Sequence, residues 1–338
     1  MSGMELSRLD KSRPLILISA IVLGLFVGFQ FNDISEISDP IIYFTLILLI
    51  YSVVLGIPLK SVVRSFKNLR FFFIAWFQNF VIIPLIAFVL ALVFLGAYPA
   101  IFVGFVLYLV TPCTDWFLIF TDMAKGDVPL GVALLPTNLI LQILLIPVYL
   151  FLFAGKLIPI QIEAFAEALV VFVITPMALA GATRFLLRRW KGENEGKRII
   201  SKITGPMQIA TLVIVIFFMF AGQTGVIVSN VGPLSLTFVP ITIFFFFSFF
   251  IAQLLSKWSH LNYGECALLT CTTAARNSPL GLAIAVGMFP DQPLIQVAII
   301  IGVLIELPLL IAVVKGLEII RAKRYHFDHY PVSTGDDS

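Results

Sequence analysis

The stretch YLVTPCTDWFLIF, Tyr108 to Phe120, interrupts an otherwise continuous apolar run between Ile101 and Asp122. Thr111, Pro112, Cys113, Thr114 and Asp115 fall in the middle of that run. Proline removes a backbone donor and clashes with the preceding turn. A carboxylate at the centre of a membrane helix costs about 2.5–3.5 kcal/mol even on lenient insertion scales. Loosened backbone of this kind is tolerated at membrane depth only where it is buried in protein or lines a watery cavity.

The rest of the chain sets that run in a bilayer. Of 338 residues, 60% are hydrophobic and 12% charged, with a mean hydropathy of +1.05, too little polar surface for a soluble domain. Runs of about 20 apolar residues, enough to cross roughly 30 Å of hydrocarbon, recur throughout. They are Pro14–Gln30, Ile41–Leu59, Phe71–Leu95, Ile101–Asp122, Val128–Phe153, Ala164–Leu187, Met207–Ser229, Thr237–Ser256, Cys266–Met288 and Leu294–Val313. The pattern predicts an all-α polytopic membrane protein with ten transmembrane helices. Met1–Arg13 is polar and mildly basic, and no small-residue cleavage site follows the first run, so that run is expected to stay in the protein.

Basic residues give the orientation. With the N-terminus in the cytoplasm, the inner segments hold 20 of the 22 Lys and Arg; Lys156 lies outside and Arg276 within a span. Both termini are then cytoplasmic. The net charge of +3 is an orientation signal and gives no indication of nucleic acid.

Ten spans divide into 1–156 and 157–320, two five-helix halves of opposite orientation, followed by a cytoplasmic tail, 321–338. Inverted-repeat transporters need this arrangement. Irregular features match between the halves: the fourth span breaks at Thr111–Asp115 and the ninth at TTAARNSPLG, Thr272 to Gly281. Pro112 and Pro279 each remove a donor. For either break alone, a proline kink healed by a neighbouring threonine is an equal alternative. Two matched breaks, each with a charge, favour a functional site, and Asp115 and Arg276 would offset each other if the breaks cross. Glu306, before Pro308, is a third intramembrane charge with no cation in its own span, suited to taking and releasing a proton. Asn138 and Gln142 share a helix face and are either cavity groups or interhelical glue.

Other signals carry less. GENEGKR, in the longest inner loop (Arg188 to Lys202), has the wrong spacing for a phosphate loop and reads as a solvated charged hinge. His326, Asp328 and His329 read more simply as a surface tail than as a metal site. Cys113, Cys266 and Cys271 are too few and too deep for a disulfide framework, and Cys266 reads as a small buried hydrophobe. No cofactor fingerprint or enzyme motif is present, so neither a cofactor nor a resident metal is expected.

TPCT followed by KGD (Lys125 to Asp127), GVLIELP (Gly302 to Pro308) and ARNSPLGLAIAV (Ala275 to Val286) together resemble the bile acid:sodium symporter superfamily. Within it they are most similar to the arsenite permeases of the arsenical-resistance branch. The resemblance runs from the second span onward. It implies a panel domain and a core domain, with spans four and nine as broken crossing helices. It also implies a plasma-membrane antiporter that exports arsenite, with antimonite as a second candidate, in exchange for protons. Cys113 would be the thiol that meets As(III) and Glu306 the carboxyl linked to transport, with Asp115 beside it. Thr111, Thr114, Asn138, Arg276 and Asn277 complete the expected substrate surroundings. Arg276 departs from the branch, which has a small polar residue there. A guanidinium suits an anion, so a sodium- or proton-coupled transporter of small organic anions is the alternative. A receptor or scaffold would need a large extramembrane domain, which the sequence lacks.

Overall fold

The computed structural model describes residues 8–31, 34–57, 68–114, 116–155, 157–158 and 162–324. Asp115, Lys156 and the histidines of the tail lie outside them. Among the described residues the protein is all helical. Seven helices are long and apolar enough to cross a membrane: Glu36–Gly56, Leu69–Leu95, Val128–Ala154, Ile162–Lys191, Glu193–Gly222, Val231–Trp258 and Pro293–Lys323. Shorter apolar helices cover Leu15–Gln30, Pro99–Val110 and Ser278–Met288. Outward-facing Phe73, Phe151 and Phe246 are more than 60% exposed, a defect in water and the expected surface toward lipid. The protein is a polytopic membrane protein.

The helices begin with α1 (Arg8–Gln30) and α2 (Ile34–Gly56). A π-helical turn, Gln78–Ile82, joins α3 (Leu69–Phe77) to α4 (Ile83–Leu95). Next come α5 (Pro99–Val110), α6 (Trp116–Met123) and α7 (Val128–Tyr149). A second π turn, Leu150–Ala154, ends α7, and a third, Val170–Ile174, joins α8 (Ile162–Leu169) to α9 (Thr175–Lys191). Then follow α10 (Glu193–Gly222), α11 (Thr224–Ser229), α12 (Val231–Ser235), α13 (Phe238–Trp258), α14 (Tyr263–Ala274), α15 (Ser278–Met288) and α16 (Pro293–Arg324).

The two π turns that join helices stand two residues before a proline, Pro84 and Pro176. Pro84 has no N–H for the carbonyl of Phe80, and the Tyr149 hydroxyl donates to that carbonyl at 2.6 Å instead. A ring from a neighbouring helix thus stands in for the missing helical bond.

Two groups of helices result. In one, α10 packs along α2 and carries α1 and α9. In the other, α16 packs on α5, α13, α14 and α15, with α4, α6 and α7 around them. The second half of a broken pair, α15, touches both groups, reaching α2 and α8. Glycine controls the closest approach inside the second group. A Cβ on Gly302 would stand 2.8 Å from the Tyr108 ring, and one on Gly104 would collide with the carbonyl of Ile295. Only without those side chains can α5 and α16 lie this close.

Residues 188–202 are not the charged hinge that their composition suggests. Helix α9 runs through Lys191 and α10 begins at Glu193, so the corner is Gly192 alone, at φ +79°. Arg188, Arg189 and Lys191 fall in the last turn of α9, and Glu193 and Glu195 in the first turn of α10. Each set opposes the dipole of its own helix end, so the charges extend the helices instead of melting them. Lys197 adds an i,i+4 pair to Glu193 at 3.0 Å.

Candidate functional site

The two interrupted helices cross, and their breaks pair. Pro112 and Arg276 form an isolated antiparallel bridge. The Cys113 N–H donates to the Ala275 carbonyl at 3.1 Å, and the Asn277 N–H to the Thr111 carbonyl at 2.7 Å. Backbone groups released by each break are thereby satisfied by the other. Thr111 also turns its hydroxyl to the carbonyls of Leu107, Tyr108 and Asn277, sealing the end of α5.

The second interruption is narrower than Thr272–Gly281. Only Ala275, Arg276 and Asn277 leave the helix. Thr273 stays helical because its hydroxyl bonds back to the Leu269 and Thr270 carbonyls. Pro279 stands at the second position of α15, where no donor is required. The Asn277 side chain caps that helix by accepting from the Leu280 N–H at 3.4 Å.

The buried amides gather at this crossing. Asn277 donates through Nδ2 to Thr114 Oγ1 and to Gln142 Oε1, both at 3.3 Å. Asn138, one turn before Gln142 on α7, donates to Thr272 Oγ1 at 3.4 Å. Asn138 Oδ1 and Gln142 Nε2 have no hydrogen-bond partner among the described residues. A buried amide left half-satisfied costs free energy, so these atoms mark where a ligand or water gains hydrogen bonds.

Glu306 is not the isolated carboxyl that its own helix suggests. Its Oε1 accepts from the Arg276 N–H at 2.9 Å and its Oε2 from the Tyr108 hydroxyl at 2.9 Å. Helix α16 thus ties into both halves of the crossing, at the level that Gly302 opens for Tyr108. Arg276 is 2% exposed and turns its guanidinium to the carbonyls of Leu109, Thr273 and Ala274. The Phe244 ring lies 5.3 Å from its central carbon.

A cavity of about 710 Å³ leads to the crossing. Its deep wall includes Thr114, Leu118 and Leu135, and its mouth Arg184, Arg188, Glu193 and Lys197. Thr114 and Cys113 are 1% and 2% exposed; Thr114 lines the cavity, and Cys113 precedes it in the chain. Arg184 shapes the mouth by donating to the Val54, Leu55 and Ile57 carbonyls at the end of α2.

The structure therefore brings together Thr111, Pro112, Cys113, Thr114, Asn138, Arg276, Asn277 and Glu306. Three contributors were missed in sequence: Tyr108, Phe244, and Gln78, which donates to Ser248 O and Thr273 Oγ1, both at 3.3 Å. The adjacent amides Gln78 and Asn79 inside an apolar span were a legible signal. Phe244, in a run of four phenylalanines, was not.

The chain is similar to two proteins named Arsenical-resistance protein Acr3. That of Corynebacterium glutamicum is 26% identical over 332 residues, covering 93% of this chain and 90% of the relative. That of Alkaliphilus metalliredigens is 25% identical over 294 residues, covering 84% and 82%. The uncharacterized protein YbaS of Bacillus subtilis is 25% identical over 297 residues, covering 87% of this chain and 92% of its own. Residues 43–257, more than half of the chain, match the family described as Sodium Bile acid symporter. With its paired helix breaks and membrane-crossing helices, the chain belongs to that family of transporters, not to any class of enzymes.

Proposed function

We propose that the protein is a secondary transporter that exports arsenite from the cytoplasm in exchange for protons, with antimonite as a second cargo. The observation that carries this reading is a buried thiol at a paired helix crossing, next in the chain to a residue that lines a cavity with a basic mouth. Cys113 immediately precedes the cavity-lining Thr114, and a soft thiolate suits a soft metalloid centre. The similarity to the two Acr3 proteins supports the cargo.

The proposed architecture is ten spans in two inverted five-helix repeats, 1–156 and 157–320. The grouping of α1 and α2 with α9 and α10 supports it, as do breaks in the fourth helix of each half. Basic residues at the cavity mouth support a reading in which that side and both termini face the cytoplasm of a plasma-membrane protein. Asn138, Thr111, Thr114 and Asn277 surround the cargo. Glu306, which meets the Tyr108 and Arg276 donors, carries the coupling proton, and Asp115 assists.

Everted vesicles containing the purified protein, with an imposed proton gradient and no sodium, test the reading. Arsenite uptake is expected to collapse with the gradient and in Cys113→Ser. No uptake by folded protein would overturn it. The basic mouth (Arg184, Arg188, Lys197) favours one competing cargo, a small organic anion. Arg276 is poorly placed to clamp such an anion, because its nitrogens are committed to carbonyls. Uptake of small carboxylates in the same vesicles separates the two.

A further inference from the structure

All three guanidinium nitrogens of Arg276 point at backbone oxygens. Nε donates to the Ala274 carbonyl at 3.4 Å, Nη1 to Leu109 at 2.8 Å, and Nη2 to Thr273. These oxygens have a common origin: Leu109 lies in the last turn of α5, and Thr273 and Ala274 in the last turn of α14. Each helix C-terminus carries the equivalent of about half a negative charge. Two such ends meeting at one point amount to roughly one unit of negative charge, to which the Glu306 carboxyl on the Arg276 N–H adds, and the buried guanidinium is set against it. The Phe244 face closes the other side of the group.

Half-helix C-terminal ends and loosened carbonyls are also the oxygen ligands with which broken-helix transporters hold a coupling sodium ion. Here such a set is already occupied by a cation that the chain carries covalently. We propose that Arg276 is a tethered cation. It fills, as a permanent part of the protein, the carbonyl site that a coupling sodium ion would need, and so makes the transport cycle independent of sodium. The inference rests on the transporter reading, but its first test needs no substrate.

The purified protein is melted in choline chloride and in sodium chloride at equal ionic strength. Arg276→Ala, purified with guanidinium present, is melted in the same salts and across millimolar guanidinium. The wild type is expected to melt identically in sodium and choline. The variant is expected to melt lower, and to gain about 5 °C, saturably, from guanidinium or sodium. A merely structural arginine would give the loss without the cation response.

Arsenite uptake is expected to be equal in the two salts for the wild type. In Arg276→Ala it should fall about tenfold and recover in part with guanidinium. A sodium-specific stabilisation or activation of the wild type would overturn the proposal. So would an Arg276→Ala protein that melts lower but answers to no cation, or one that melts like the wild type. Should Arg276→Ala not fold, Arg276→Gln is measured in its place, and failure of both to respond to guanidinium and sodium also overturns it. The expected melting pattern without arsenite uptake would refute the cargo and leave the tethered cation standing.

Discussion

The two helix breaks share a geometry and differ in chemistry. Both run extended for a few residues, and each uses the other's backbone to satisfy its own. Among the described residues the first carries Thr111, Cys113 and Thr114, with Thr114 on the cavity wall. The second carries the cation, buried and turned toward carbonyls, and an asparagine that reaches across to Thr114 and Gln142. The buried guanidinium compensates carbonyls from one side of the crossing, while the described side chains of the other break are neutral and include a polarisable thiol.

Substitutions probe that division, in descending order of effect. Cys113→Ser should lower arsenite uptake about a hundredfold while the protein stays folded, because a hydroxyl is a hard ligand. Uptake at wild-type level would end the thiol's role. Glu306→Gln keeps an acceptor for the Arg276 N–H but carries no titratable proton. Uptake is expected to fall about tenfold and lose its pH dependence; an unchanged profile would remove Glu306 from the proton path.

Asn277→Ala removes a helix cap and the donor to Thr114 and Gln142, costing about 1–2 kcal/mol. It should lower the melting temperature in both the presence and absence of arsenite. Tyr108→Phe deletes a single hydroxyl donor to Glu306, worth about 1–1.5 kcal/mol, and should shift the pH profile of uptake more than its maximum. Arg188→Ala, at the exposed mouth, should change arsenite uptake by less than about twofold, since exposed charge pairs are worth little. A large effect there would favour an anionic cargo.

The helical membrane class and both breaks were legible because proline and buried charge are costly at membrane depth and therefore conspicuous. Thr111, Cys113, Asn277 and Glu306 stood out for the same reason. What Arg276 does was not legible. Asp115, the partner that the sequence offers, lies outside the described residues, and the ligands that are seen are carbonyls, which every residue possesses. Tyr108 was equally hidden, since a tyrosine in an apolar run reads as packing until Gly302 is seen to admit its ring beside Glu306. The charged segment 188–202 misled for the opposite reason. Its polarity was visible, but the match between charge sign and helix end depends on where Gly192 puts the corner.

The bridge between the breaks has a consequence for biogenesis. Thr111 and its partner Asn277 are 166 positions apart, so the first broken span leaves the ribosome long before the residues that complete it. Until then the Thr111 carbonyl and Cys113 N–H have no native partner, and hydrocarbon offers no replacement. The half-made protein must hold that span in a watery or proteinaceous shelter, and a chain ending near residue 160 should be recognised as unfinished by membrane quality control.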